Sequence, residues 1–255
     1  MLKTLVVVMS VSLVCSFLVT TTSVLLEDRQ RQNLFLERVR HVLEVVGIEG
    51  GSTDLISRYR ERITPLLVNL ETGEEVDPAG LPGFVHPDQF DFVIASKEPE
   101  YSQPIPDSPI GLKRKPRLMP VYLVHGAEGL EKVILLIVGK GLWSTLQGYL
   151  ALENDLTTIY GIRFFQQGET PGLGGEITNP RWQSQWGGKQ AFDSRGKVVI
   201  KVVKGPVDPS SSTQVEGLSG ATLTTRAVDH LVRYWLGPDG YGPYLERLRQ
   251  RTGGG

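Results

Sequence analysis

Val121-Tyr122-Leu123-Val124 and Val133-Ile134-Leu135-Leu136-Ile137-Val138 read as two strands, and His125-Gly126-Ala127-Glu128-Gly129 marks the turn between them. β-Branched and aromatic residues favour a pleated surface, and the glycines bound the runs. Outward from this pair, Tyr149–Leu152 and Ile159–Phe165 give two more strands. Lys197–Lys204 is expected as another, entered through Asp193-Ser194-Arg195-Gly196. Leu66–Leu70 reads as a short strand, with Glu71-Thr72-Gly73-Glu74 turning the chain after it. The expected product is an α+β domain, an antiparallel sheet with helices packed against it.

The helix that closes this domain is legible near the C-terminus. Val228, Leu231, Val232, Trp235 and Leu236 recur at i, i+3, i+4, i+7 and i+8, which builds one apolar face, and Gly237-Pro238 ends it. Immediately upstream stands Glu216-Gly217-Leu218-Ser219-Gly220-Ala221-Thr222-Leu223-Thr224-Thr225. Thr222 is therefore expected at or just before a helix N-terminus, where free N–H groups and the macrodipole favour a phosphate. Gly220 and Ala221, almost without side chains, let a bulky group approach the backbone. The plainer reading is that Ser219 or Thr222 caps the helix.

At the other end, Leu5–Leu26 carries no charged residue. As a helix it would reach about 33 Å, enough to cross a bilayer core. No Ala-x-Ala-like cleavage site is found near Thr20–Leu26, which favours an uncleaved anchor over a signal peptide. Lys3 precedes the span while Arg29, Arg31, Arg38 and Arg40 follow it, so the charge count leaves the orientation open. Residues 1–4 then form a short N-terminus and 5–26 the span. Residues 27–50 form a connecting helix with Leu36, Val39, Leu43 and Val46 on one seam, packing on the domain's own core or on a partner.

Nine of the sixteen prolines fall between Pro78 and Pro120, so 51–120 reads as an irregular excursion over the surface or a docking element. It leads into the domain proper at 121–250, and 251–255 reads as a disordered tail. Cys15, inside the span, is the sole cysteine, which excludes internal disulfides, thiolate zinc sites and iron–sulfur clusters of the chain's own. His41, His86, His125 and His230 lack metal-ligand spacing. A net charge of −1 without a basic stripe excludes nucleic acid as a partner.

Two loops leaving the sheet are unusual: Gly139-Lys140-Gly141-Leu142-Trp143-Ser144 and Glu169-Thr170-Pro171-Gly172-Leu173-Gly174-Gly175-Glu176. Each is either a tight turn around one apolar residue or a surface offering a flat ligand backbone on one side and a ring on the other. The Ser219-Gly220-Ala221-Thr222 core resembles the flavinylation motif of the FMN-binding domain family, with Glu216 where that family has Asp. Together with both loops, Trp235-Leu236-Gly237-Pro238-Asp239-Gly240, Tyr244 and the N-terminal span, the chain resembles the NqrC subunits of the sodium-translocating NADH:quinone oxidoreductases.

That resemblance implies FMN held covalently as a phosphoester on Thr222, installed from FAD by a separate flavin transferase. It implies a soluble domain in the periplasm, anchored in the bacterial inner membrane. Electrons would pass from NADH through flavin and iron–sulfur centres of other subunits to this FMN, and onward to ubiquinone. In the pocket it implies Trp143 as a wall for the ring and Glu169, Thr170 and Leu173 as the opposite loop. Lys204 would face the reduced ring or polar groups of the cofactor, and Leu218, Ser219, Gly220 and Ala221 would line the attachment point. No G-x-G-x-x-G fingerprint opens a helix after a strand, so NADH itself is expected to bind elsewhere. The G-type flavin subunit of the ion-motive ferredoxin:NAD oxidoreductases is a related alternative. A membrane-tethered docking domain without flavin, with Thr222 a mere cap, is a third reading.

Overall fold

A computed structural model of the chain describes residues 2–48 and 52–252, and divides into two compact units, Met1–Arg38 and Val39–Gly255. The first is formed by the long helix α1 (Leu2–Val45), whose last residues from Val39 belong to the second unit. Leu2–Leu26 of α1 has a mean hydropathy of 2.3 and is not buried by the protein. Its apolar side chains thus cover a length sufficient to cross a bilayer.

In the second unit, α2 (Ser52–Arg62) leads into β1 (Ile63–Asn69), which turns back into β2 (Glu75–Val76). The segment that follows holds α3 (Phe92–Lys97) and the paired β3 (Ser102–Pro104) and β4 (Arg114–Pro116). Asp91 caps α3 by accepting from the N–H groups of Val93 and Ile94. Four long strands come next: β5 (Leu118–Gly126), β6 (Gly129–Lys140), β7 (Thr145–Glu153) and β8 (Ile159–Gln166). They join the first pair in a six-stranded antiparallel sheet of order β2-β1-β5-β6-β7-β8. Leu135 at its centre pairs with Val121 on one side and Leu150 on the other.

The sheet is covered on both faces, which is why Val133–Val138 is a continuous apolar run instead of an alternating one. On one face, His41 stacks on Phe165 at 5.0 Å and Glu44 pairs with Arg163 at 2.8 Å. Val39, Leu43 and Val46 of the expected seam are buried in this unit's own core. On the other face lies α5 (Thr222–Leu236), reached through α4 (Pro180–Gln183) and the short strands β9 (Lys201–Val203) and β10 (Gln214–Glu216). Val228, Leu231, Val232, Trp235 and Leu236 are all buried, and Gly237 ends the helix. Gly139 on β6 makes room for Leu231, since a Cβ there would fall 2.9 Å from its Cδ1. After Gly237 the chain closes with α6 (Gly242–Thr252).

Two expectations are corrected. Lys197–Lys204 is not a strand of the main sheet. Its first residues return tightly on the Asp193–Gly196 turn, with Asp193 N–H bonded to Lys197 C=O and Val199 N–H to Ala191 C=O. Only Lys201–Val203 is extended, and it pairs in parallel with β10 in a separate two-stranded sheet. The stretch 51–120 is also not irregular throughout, because β1 lies inside the main sheet, beginning at Ile63 and not at Leu66. Leu118 and Met119 likewise already belong to β5. Of the expected tail, Arg251 and Thr252 end α6, while 253–255 lie outside the described residues, as do 49–51.

Candidate functional site

The site is assembled at the start of α5. Ala221 occupies the cap position and no side chain caps the helix. Neither Ser219 nor Thr222 takes the capping role. Instead the Thr225 hydroxyl, one turn inside, accepts from the Leu218 N–H at 3.0 Å. Gly220, at φ +74°, lets the link double back so that Ala221 N–H reaches Leu218 C=O. Among the described residues, the N–H groups of Thr222, Leu223 and Thr224 find no partner. They are open donors at the positive end of a 15-residue helix.

Glu169 ties the two glycine-rich loops to this helix. Its side chain is only 4 % exposed. One carboxylate oxygen accepts from Trp143 N–H (3.0 Å), Ser144 N–H (3.1 Å) and the Ser144 hydroxyl (3.2 Å). The other accepts from Leu142 N–H (3.1 Å) and the Thr224 hydroxyl (2.8 Å). Burial by itself would raise the carboxyl pKa. The bonds from Trp143, Thr224, Ser144 and Leu142 outweigh it and hold the group below the ordinary glutamate value. An ionised carboxylate with five donors has its acceptor capacity filled.

Around this polar knot the side chains are apolar and bare. Trp143 is 72 % exposed, and Leu142, Leu173 and Leu223 are exposed as well. Leu173 reaches the Leu218–Ala221 turn, since a Cβ on Gly220 would lie 3.1 Å from its Cδ2. Thr170 faces solvent and holds its loop through its carbonyl, which accepts from Leu173 and Gly175. Leu218 is half-buried, and Ser219 and Gly220 are exposed. Lys204 follows β9, exposed and without a hydrogen bond or ion pair among the described residues, near the link because Gly217 N–H bonds Val203 C=O at 2.7 Å. Thr222 opens α5, half-buried, its hydroxyl making no hydrogen bond among the described residues.

Sequence reasoning missed Thr224, Ser144 and Leu223. A signal for Leu223 was present: it is apolar yet lies off the Val228–Leu236 face, and a large apolar side chain off the core face marks a contact surface. Exposed apolar side chains beside an uncapped helix N-terminus suit a ligand that is flat and apolar at one end and phosphorylated at the other.

Residues 141–237, which take in Gly141–Ser144 of the first loop, the whole second loop and all of α5, match the FMN-binding domain family, and that is the class of domain this fold and site define. Curated relatives extend the likeness to almost the whole chain. The C subunit of the Na(+)-translocating NADH-quinone reductase of Pseudomonas aeruginosa is 40 % identical over 97 % of this chain and 96 % of its own length. Its namesake from Yersinia pestis is 38 % identical, covering 97 % and 93 %. The crystal structure of Shewanella oneidensis NqrC superposes with a TM-score of 0.79 at 33 % identity, covering 88 % of this chain and 99 % of that one. That of the corresponding reductase subunit from Parabacteroides distasonis gives 0.68 at 30 % identity, covering 86 % and 96 %. The chain belongs to the NqrC family, the C subunits of the Na(+)-translocating NADH-quinone reductases.

Proposed function

We propose that this chain carries FMN through a phosphoester on Thr222 and relays electrons within a membrane complex that oxidises NADH, reduces ubiquinone and moves Na+. The carrying observation is that Glu169 ties the Trp143 loop to Thr224 and Leu173 lies beside Gly220, so both loops meet the open N-terminus of α5. FMN, when bound, supplies the redox chemistry; the protein fixes its place and tunes its potential. During maturation by a flavin transferase, the Thr222 oxygen forms a bond to the flavin-side phosphorus of FAD. The bond joining the two phosphates breaks, AMP leaves, and the hydroxyl proton goes to solvent.

In this reading Trp143 and Leu173 supply apolar contact for the ring, supported by the exposure of both and by the place of Leu173 beside Gly220. Thr170 and Lys204 offer a hydroxyl and a positive charge at its polar edge. Leu218, Ser219, Gly220 and Ala221 form the link that leaves the phosphate room. The partners are the other subunits of the reductase, which fits the names of the relatives. Leu2–Leu26 anchors the chain in the inner membrane, with the soluble domain in the periplasm. Likeness over 97 % of the chain to quinone-reductase subunits favours this complex over the ferredoxin-linked alternative. The test is in-gel flavin fluorescence after denaturing electrophoresis, on full-length chain co-expressed with the transferase. A fluorescent wild-type band that disappears in Thr222→Val is the expected result; a dark wild-type band, with the transferase active on a control protein, overturns the reading.

A further inference from the structure

Four hydroxyls lie between Ser219 and Thr225, and the structure treats them differently. Thr224 is 1 % exposed and donates to Glu169 at 2.8 Å. No phosphate fits beside it, because even a methyl group on Gly174 would lie 2.5 Å from its oxygen. Thr225 is buried and committed to Leu218 N–H. Ser219 is exposed but stands outside the helix, and no hydrogen bond among the described residues orients it. Thr222 alone is both on the first turn and uncommitted.

We propose that Glu169 is a positioning residue that selects which hydroxyl is modified, by clamping Thr224 inward and so leaving Thr222 turned away from the core. The inference rests on the flavin attachment proposed above. Its geometry is that of the helix: residues two apart point about 200° from one another, so an inward Thr224 dictates an outward Thr222. The clamp is a hydroxyl donating to an ionised carboxylate, a short and strong kind of hydrogen bond. The same carboxylate holds three consecutive N–H groups of Leu142–Ser144, so the acceptor and the exposed indole are referred to one buried anchor. Filled on both oxygens by protein donors, Glu169 orients Thr222 through Thr224 and the loop backbone.

The experiment uses full-length chain co-expressed with the transferase, as wild type, Thr224→Val, Thr224→Ser and Glu169→Gln. Intact mass gives the rate of flavin loading and peptide mapping gives the modified residue. Thr224→Val keeps the shape and removes the donor, while Thr224→Ser restores it, so this pair decides even if Glu169→Gln does not fold. Wild type and Thr224→Ser are expected to load on Thr222 alone. Thr224→Val is expected to load about tenfold more slowly, as for a lost charge-assisted hydrogen bond, with part of the label moved to Ser219. Folded Thr224→Val loading Thr222 alone at the wild-type rate overturns the clamp while leaving the flavin reading intact. An unlabelled wild type overturns both.

Discussion

Trp143 and Trp235 both stand beside glycines, yet the molecule holds them by opposite means. Trp235 is fully buried, its indole N–H donates to Val138 C=O at 2.7 Å, and its ring lies 5.5 Å from that of Tyr241 and 6.3 Å from that of Phe92. Trp143 has a bare ring, and its backbone N–H is what is fixed, on Glu169. One tryptophan is secured by its side chain, the other by its main chain. The difference teaches how a loop can be rigid and available together: backbone bonds set its path, and the ring is left to meet something other than its own chain.

The strongest way to break the comparison is Trp235→Ala. A fully buried indole replaced by methyl leaves a cavity between α5, β6 and the Phe92 segment and orphans the Val138 carbonyl. The expected loss is about 3–5 kcal/mol in urea unfolding of the soluble domain. A loss below about 1 kcal/mol would mean that α5 is held elsewhere and that the two tryptophans do not differ as described.

A smaller effect tests the main-chain half. Because the folded carboxyl of Glu169 titrates below its ordinary value, its contribution is present above the unfolded pKa of about 4.3 and is lost as pH falls through the folded one. Glu169→Gln should therefore be less stable than wild type at pH 7, by about 1.5–3 kcal/mol. On acidification the wild type should lose that advantage, and the two unfolding curves should converge below pH 4. A constant gap from pH 7 to pH 3 would show that the charge on Glu169 does not hold the loops.

The same contrast explains what was legible in the sequence. Strands β5 to β8 and the buried face of α5 are written in local apolar patterns, so Val133–Val138 and Val228–Leu236 could be read directly. Lys197–Lys204 misled because a β-rich composition does not reveal a partner: β10, its parallel neighbour, is defined only by the folded register. Trp143, Leu173 and Thr222 were legible as members of unusual loops. Thr224 was not, since its role depends on a carboxylate 55 residues away that collects donors from a third segment. Hydrogen bonds among separated loops leave no periodic trace; only Leu223, apolar and off the core face, hinted at the surface they build.

The smallest expected effect on stability sharpens the comparison most. Trp143→Ala removes a ring the fold does not bury, while the N–H on which Glu169 depends remains. Unfolding free energy should change by no more than about 0.5 kcal/mol. If the exposed ring is the wall of a flavin pocket, the same substitution should nonetheless raise the fluorescence of the attached flavin and shift its midpoint potential. A potential and a quenching both unmoved would leave Trp143 as surface alone. A loss of several kcal/mol would contradict the exposure itself. Only the combination of unaltered stability and altered flavin identifies a residue that the protein positions for its ligand and not for its own core.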